Sequence, residues 1–211
     1  LRAMAWGIFG NTKWYDGLPT AWTQLATLVV FLFFCWVTSK GIPVLKSLAT
    51  IAGSSMFIMS ILFIIMMFAA PAINPHAGYY SINFNWKSLM STFNLKYLTS
   101  LSILVFAVGG CEKISPYVNK VKDPSKNFPK AMMALAIMVM ISAILGTFAM
   151  ALMFDPKIVN NNLNEYISNG AYMAFQRLGE YYHVGGLFMY IYSWCNVIGQ
   201  FSTLVISIDA P

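Results

Sequence analysis

Apolar residues in this chain gather into long, nearly unbroken runs, and polar residues fall in short stretches between them. Five runs stand out, at 21–37, 43–70, 98–118, 131–154 and 184–208, and residues 1–10 read as the tail of another. A helix that crosses a bilayer needs about 17–25 mostly apolar residues. The pattern therefore predicts an all-α membrane protein, a bundle of transmembrane helices, with the run at 98–118 broken near 109–112. No long linker or low-complexity segment divides it, so residues 1–211 read as a single transmembrane domain. Leu1–Gly10 lacks the basic start and cleavage site of a signal peptide. The chain stops at Ile208-Asp209-Ala210-Pro211, directly after an apolar run. Both ends are expected to be cuts, which makes this an internal fragment.

Composition strengthens the membrane reading. Apolar residues make up 58% of the chain and charged residues 9%, too few to cover a water-soluble domain of this size. The net charge of +6 does not point to nucleic acid, because no basic face carries the interleaved aromatics that such a groove requires. Cys35, Cys111 and Cys195 sit far apart inside apolar runs, a spacing that suits neither a disulfide framework nor a metal site. They read as small buried hydrophobes, and no metal or other cofactor is expected.

Charge also sets the orientation. One alternating set of connections holds seven lysines, five of them between Lys113 and Lys130, while the other set holds five Lys and Arg over longer loops. By the positive-inside rule the Lys113–Lys130 connection faces the cytoplasm, in a multi-pass protein of the plasma (inner) membrane. The opposite connections carry Trp14, Tyr15, Tyr79, Tyr80, Trp86, Tyr181 and Tyr182, as an interfacial aromatic belt does. Leu163, Tyr166, Ile167, Phe175 and Leu178 recur at near-helical spacing and predict a helix over Asn162–Glu180 lying on the outer surface. His76 and His183 read as surface histidines. Ala49 with Gly53, Ser142 with Gly146 and Ala143 with Thr147 have the four-residue spacing that lets helices approach closely in lipid.

The interrupted run carries the candidate chemistry. Eleven helical residues from Leu98 rise about 16 Å, near the middle of the bilayer core. There Gly109 and Gly110 follow one another, then Glu112, and Pro116 removes the donor that the Glu112 carbonyl would receive. Backbone groups freed at that depth survive where they line a cavity or lie buried in protein. One reading is a broken helix whose second half offers amides and a positive dipole end to an anionic group. The other is a glycine-mediated crossing with a proline kink. Glu112 has two readings as well, a functional acid within a span or a carboxylate capping the half-helix.

The stretch Phe106-Ala107-Val108-Gly109-Gly110-Cys111-Glu112 is followed by Val121-Lys122-Asp123-Pro124-Ser125-Lys126-Asn127-Phe128-Pro129-Lys130-Ala131. Together they resemble the sixth helix and following loop of the amino acid–polyamine–organocation (APC) superfamily, nearest its glutamate/γ-aminobutyrate antiporter branch. The resemblance spans about the end of helix three to helix eight. Locally, Asp123-Pro124 suits a turn, Asn127 a helix cap and Pro129 the first helical turn. The resemblance implies two inverted five-helix repeats that hold substrate at unwound parts of helices one and six. It makes Phe106, Ala107, Val108, Gly109, Gly110, Cys111 and Glu112 candidate substrate-binding residues, with Phe106 closing over the substrate and Glu112 the candidate for proton coupling. From helix eight it adds Tyr190 and Trp194, beside Val197 and Ile198. Cys111 departs from the family pattern, and helices one, two and nine onward lie outside the chain.

The function so implied is alternating-access transport of amino acids, glutamate or γ-aminobutyrate among them, by exchange or proton coupling. A non-transporting scaffold or sensor is the alternative. A membrane-embedded enzyme is disfavoured, since no His-Glu-x-x-His, Gly-x-Ser-x-Gly or paired intramembrane aspartates occur.

Overall fold

The computed structural model describes residues 1–39, 44–81, 95, 98, 118 and 122–209, and these are helical wherever they are regular. Helix α1 (Arg2–Phe9) ends at Gly10, where φ is 67° and the N–H donates to the Trp6 carbonyl. Glycine takes that left-handed turn without the penalty of a β-carbon. A short α2 (Lys13–Asp16) leads into α3 (Thr20–Ser39) and α4 (Val44–Ile73). Beyond lie α5 (Pro124–Met153), α6 (Pro156–Asn161), α7 (Leu163–Tyr181) and α8 (Leu187–Asp209). The expected broken run falls between α4 and α5, outside the described residues apart from Leu98 and Val118.

Among the described residues, three segments are long and apolar enough to cross a membrane: Thr20–Ser39, Gly53–Ile73 and Pro124–Met153. Helix suits them because it satisfies every backbone group internally where no water is at hand. The hydroxyls of Thr23, Thr27, Ser60 and Thr147 donate to carbonyls three or four residues earlier on their own helices. That leaves the helix surfaces apolar. On α3 no residue is buried, and Trp22, Leu25, Leu28, Val29, Leu32 and Trp36 stand exposed. A patch of that extent is stable against lipid or further helices rather than water.

Helix α5 begins in the lysine-bearing connection, ahead of the apolar run. Pro124 takes the first helical position, where its missing N–H leaves no bond unmade, and Lys126 and Asn127 donate backbone N–H groups to the Asp123 carbonyl. Asn127 is therefore inside the helix rather than at its cap, its side chain donating to the Lys122 carbonyl, and Pro129 lies one turn further in than expected.

The core gathers at one end of the bundle. Met59, Phe63, Met67 and Ala70 of α4 meet Ala149 and Met153 of α5, with Phe154 and with Tyr172, Phe175, Leu178 and Tyr181 of α7. Phe175 stacks on Tyr192 of α8 with ring centroids 4.3 Å apart. Helix α7 is thus packed into the bundle end by one face. At the turn into α8 a β-carbon on Gly179 would fall onto the Gly185 carbonyl oxygen, so the close approach of the two helices requires glycine there. Gly53 and Gly146 behave differently: nothing lies within 4 Å of the β-carbon either would carry. Those small-residue surfaces face open space instead of a neighbouring helix.

Candidate functional site

Helix α8 packs against α1, α3, α4 and α7, and sets polar residues at intervals within an otherwise apolar run. Ser193, Asn196, Gln200 and Thr203 recur every three or four residues and so share a face. Two of them are closed onto their own helix: Ser193 Oγ donates to the Met189 carbonyl at 2.7 Å, and Thr203 Oγ1 to the Gly199 carbonyl at 3.0 Å. The two amides reach further. Asn196 Nδ2 donates to the Tyr172 hydroxyl at 2.7 Å, and Gln200 Nε2 donates to Asn196 Oδ1 at 3.3 Å.

Tyr172 belongs to α7, and its ring stacks on Trp6 of α1 at 5.4 Å and 6°. The Trp6 indole in turn donates to Asn169 Oδ1, also on α7, at 3.2 Å in a buried setting. A single aromatic pair with a hydrogen bond at each end therefore ties α7 to both α1 and α8. Burial pushes the Tyr172 phenol up, against the opposing pull of the Asn196 amide and the Arg2 guanidinium. The group is a protonated donor at neutral pH. Arg2 also pairs with Asp16 at 3.5 Å and lies over the Tyr15 ring.

Tyr190 and Trp194 lie roughly a third of a turn round α8 from Asn196 and Gln200. The Tyr190 hydroxyl lies 3.0 Å from where a Gly10 β-carbon would sit, and the Trp194 indole nitrogen 3.3 Å from that of Gly7. The structure brings the two together on the α1 side, with about half of each side chain exposed. Phe106, Ala107, Val108, Gly109, Gly110, Cys111 and Glu112 lie outside the described residues. The cluster of Trp6, Asn169, Tyr172, Asn196 and Gln200 was not among the residues that the sequence singled out. Its one signal there is an Asn and a Gln inside an apolar run, where polar side chains are costly.

At the capped end of the bundle, the Arg177 guanidinium lies over the rings of Tyr80 at 5.7 Å and Phe154 at 5.6 Å. Tyr182 donates its hydroxyl to the Met66 carbonyl, and burial pushes the phenols of Tyr79, Tyr181 and Tyr182 up. Asn74 places its amide nitrogen 3.4 Å from both the Tyr181 carbonyl and His183 Nε2. No group of three metal-ligating side chains occurs among the described residues.

An open cavity of about 690 Å³ lies between α4, α5 and α7, lined by Phe57, Phe63, Ser142, Gly146, Phe175 and Tyr192 among others. Its lining is apolar apart from hydroxyls, and those of Ser60 and Thr147 are closed onto their own helices. That makes it a seat for apolar surface. Among the described residues, α8 with Tyr172 is where polar groups converge.

Comparison with known proteins agrees with this architecture. The chain is 42% identical over its whole length to the aspartate/glutamate permease AcaP of Lactococcus lactis, of which it spans 43%. It is 25% identical to the inner membrane transporter YjeM of Escherichia coli, over 77% of this chain and 31% of that protein. The YjeM protein of Salmonella typhimurium matches 76% of the chain at 23% identity. The chain thus spans less than half the length of the curated relatives it matches. No solved structure matches it. The family model described as amino acid permease matches residues 4–210, nearly the whole chain. The long apolar helices and their match to this model agree: the chain belongs to the amino acid permease family.

Proposed function

We propose that the full-length protein is a secondary transporter of the plasma membrane that moves amino acids by alternating access, with acidic amino acids as its substrate class. The observation that carries this reading is the 42% identity to an aspartate/glutamate permease over the whole of this chain. In this reading the break at Gly109–Glu112 offers backbone amides to the substrate's main-chain carboxylate, and Phe106 closes over it. Ala107, Val108 and Cys111 complete that wall, and Tyr190 and Trp194 line the opposite side from α8. The Lys113–Lys130 connection faces the cytoplasm. Transport is driven by exchange, of the glutamate/γ-aminobutyrate type, or by protons with Glu112 as the carrier. Partner helices from the remainder of the full-length protein complete the site.

Counterflow tests it. Full-length protein in liposomes loaded with unlabelled glutamate should accumulate labelled glutamate and aspartate, and leucine should not compete. Counterflow of neutral amino acids alone would keep the transporter and overturn the substrate class. No counterflow of any amino acid would leave the non-transporting scaffold.

A further inference from the structure

Helix α5 has two unlike faces. Leu135, Val139, Ser142 and Gly146 share the side that lines the cavity towards α4 and α7. Lys126, Lys130, Met133, Ile137, Ile141 and Ile144 fall within about 80° of arc on the opposite side. All six are exposed. The ridge is thus cationic at its start and apolar beyond. Asn127 donates its side-chain amide to the Lys122 carbonyl, which keeps Lys122 beside the first turn. Among the described residues no salt bridge holds these lysines, and Asp123 is the one acid in sequence between Glu112 and Asp155.

That order of charge and apolar surface matches a phospholipid. From Lys130 to Ile144 the helix rises about 21 Å, more than the roughly 15 Å of hydrocarbon in one leaflet. Acyl chains can therefore lie along Met133, Ile137 and Ile141 while the headgroup sits at the lysines. Lys122, Lys126 and Lys130 against Asp123 leave a net charge of +2. An anionic headgroup answers that charge and a zwitterionic one does not, by about fivefold for each lysine. No rigid pocket is needed, because lysine stems lie along apolar surface and carry the ammonium to the interface.

We infer that this ridge of α5 is a docking surface for an anionic phospholipid, with the phosphate among Lys122, Lys126 and Lys130 and the chains along the isoleucines. The inference rests on α5 crossing the membrane and not on what the protein carries. It differs from a role in orientation, since lysines that only set topology during insertion would afterwards meet every lipid alike.

Fluorescence quenching provides the test. Full-length protein lacking Cys35, Cys111 and Cys195 is reconstituted in phosphatidylcholine vesicles with a bimane attached at Ile137→Cys. Doxyl-labelled phosphatidylglycerol should quench it at several-fold lower content than doxyl-labelled phosphatidylcholine. A bimane at Leu28→Cys on α3, an exposed position of a helix without lysine, should be quenched equally by both. Lys126→Gln with Lys130→Gln should cut the preference at Ile137 by about fivefold or more, and the arginine pair should keep it. Labelled lipid occupies both leaflets, so the protein's orientation does not enter. Equal quenching by the two lipids at Ile137 overturns the inference, as does a preference that survives the glutamine pair or appears equally on α3. Quenching by neither lipid also overturns it, since another helix would then cover the ridge. Should the glutamine pair fail to fold, about 1 M salt on the lysine-bearing protein decides, because screening erases a preference that rests on charge and leaves any other.

Discussion

Glu112 is the acid that falls within an apolar run rather than between two. If it carries the coupling proton, Glu112→Gln keeps the shape and fixes the neutral state. Uptake into liposomes by that variant should lose most of its pH dependence, while substrate still raises its melting temperature. A pH profile identical to the wild type's would sink the role, and a variant that does not fold would mark the carboxylate as a helix cap. Single residues of this kind were legible because a charge in an apolar run is conspicuous. Asn196 and Gln200 stand out for the same reason, but their partners do not. Tyr172 comes 24 residues before Asn196, and Asn169 163 residues after Trp6. Nothing local links such positions, and only the packing of α1, α7 and α8 brings them together. Tyr190 and Trp194 were named through the family resemblance, and the structure seats them beside Gly10 and Gly7.

At the scale of elements, lengths were readable and faces were not. The long helices α3, α4 and α8 follow the apolar runs to within a few residues, since a bilayer fixes how much apolar chain a crossing needs. Helix α7 matches the stretch expected for it, yet Leu163 and Ile167 of its apolar set are exposed while Asn169 and Gly170 are buried. Its inward face is chosen by its partners: the Trp6 indole needs an acceptor, which Asn169 supplies. Asn169→Ala would strand the Trp6 N–H in a site where Trp6 is 7% exposed. A buried donor without a partner costs about 1–3 kcal/mol. The melting temperature should fall, and amide hydrogen exchange should speed up across α7 and α1 more than in α3. Unchanged protection of α7 would mean that Phe175 and Leu178 hold it without the polar clasp.

For the whole molecule, the length of α5 constrains how the chain threads the bilayer. Thirty helical residues extend about 45 Å, more than the roughly 30 Å hydrocarbon core, so if α5 spans, its two ends emerge on opposite sides. The lysines then choose between the sides. Lys122, Lys126 and Lys130 crowd the first end, and the positive-inside rule assigns such an end to the cytoplasmic side. Past the far end the cations are Lys157, exposed on α6, and Arg177, half-buried between the rings of Tyr80 and Phe154 under the packed face of α7. A guanidinium held between aromatic faces is part of a cap, whereas exposed lysines around Pro124 are free to stay where they are synthesised. Ser125 and Asn160 are exposed reporters for the two ends. In a full-length background without Cys35, Cys111 and Cys195, Asn160→Cys should react with an impermeant thiol reagent on intact cells. Ser125→Cys should react only after permeabilisation. The reverse pattern would invert the orientation, and labelling of both from outside would show that α5 does not cross.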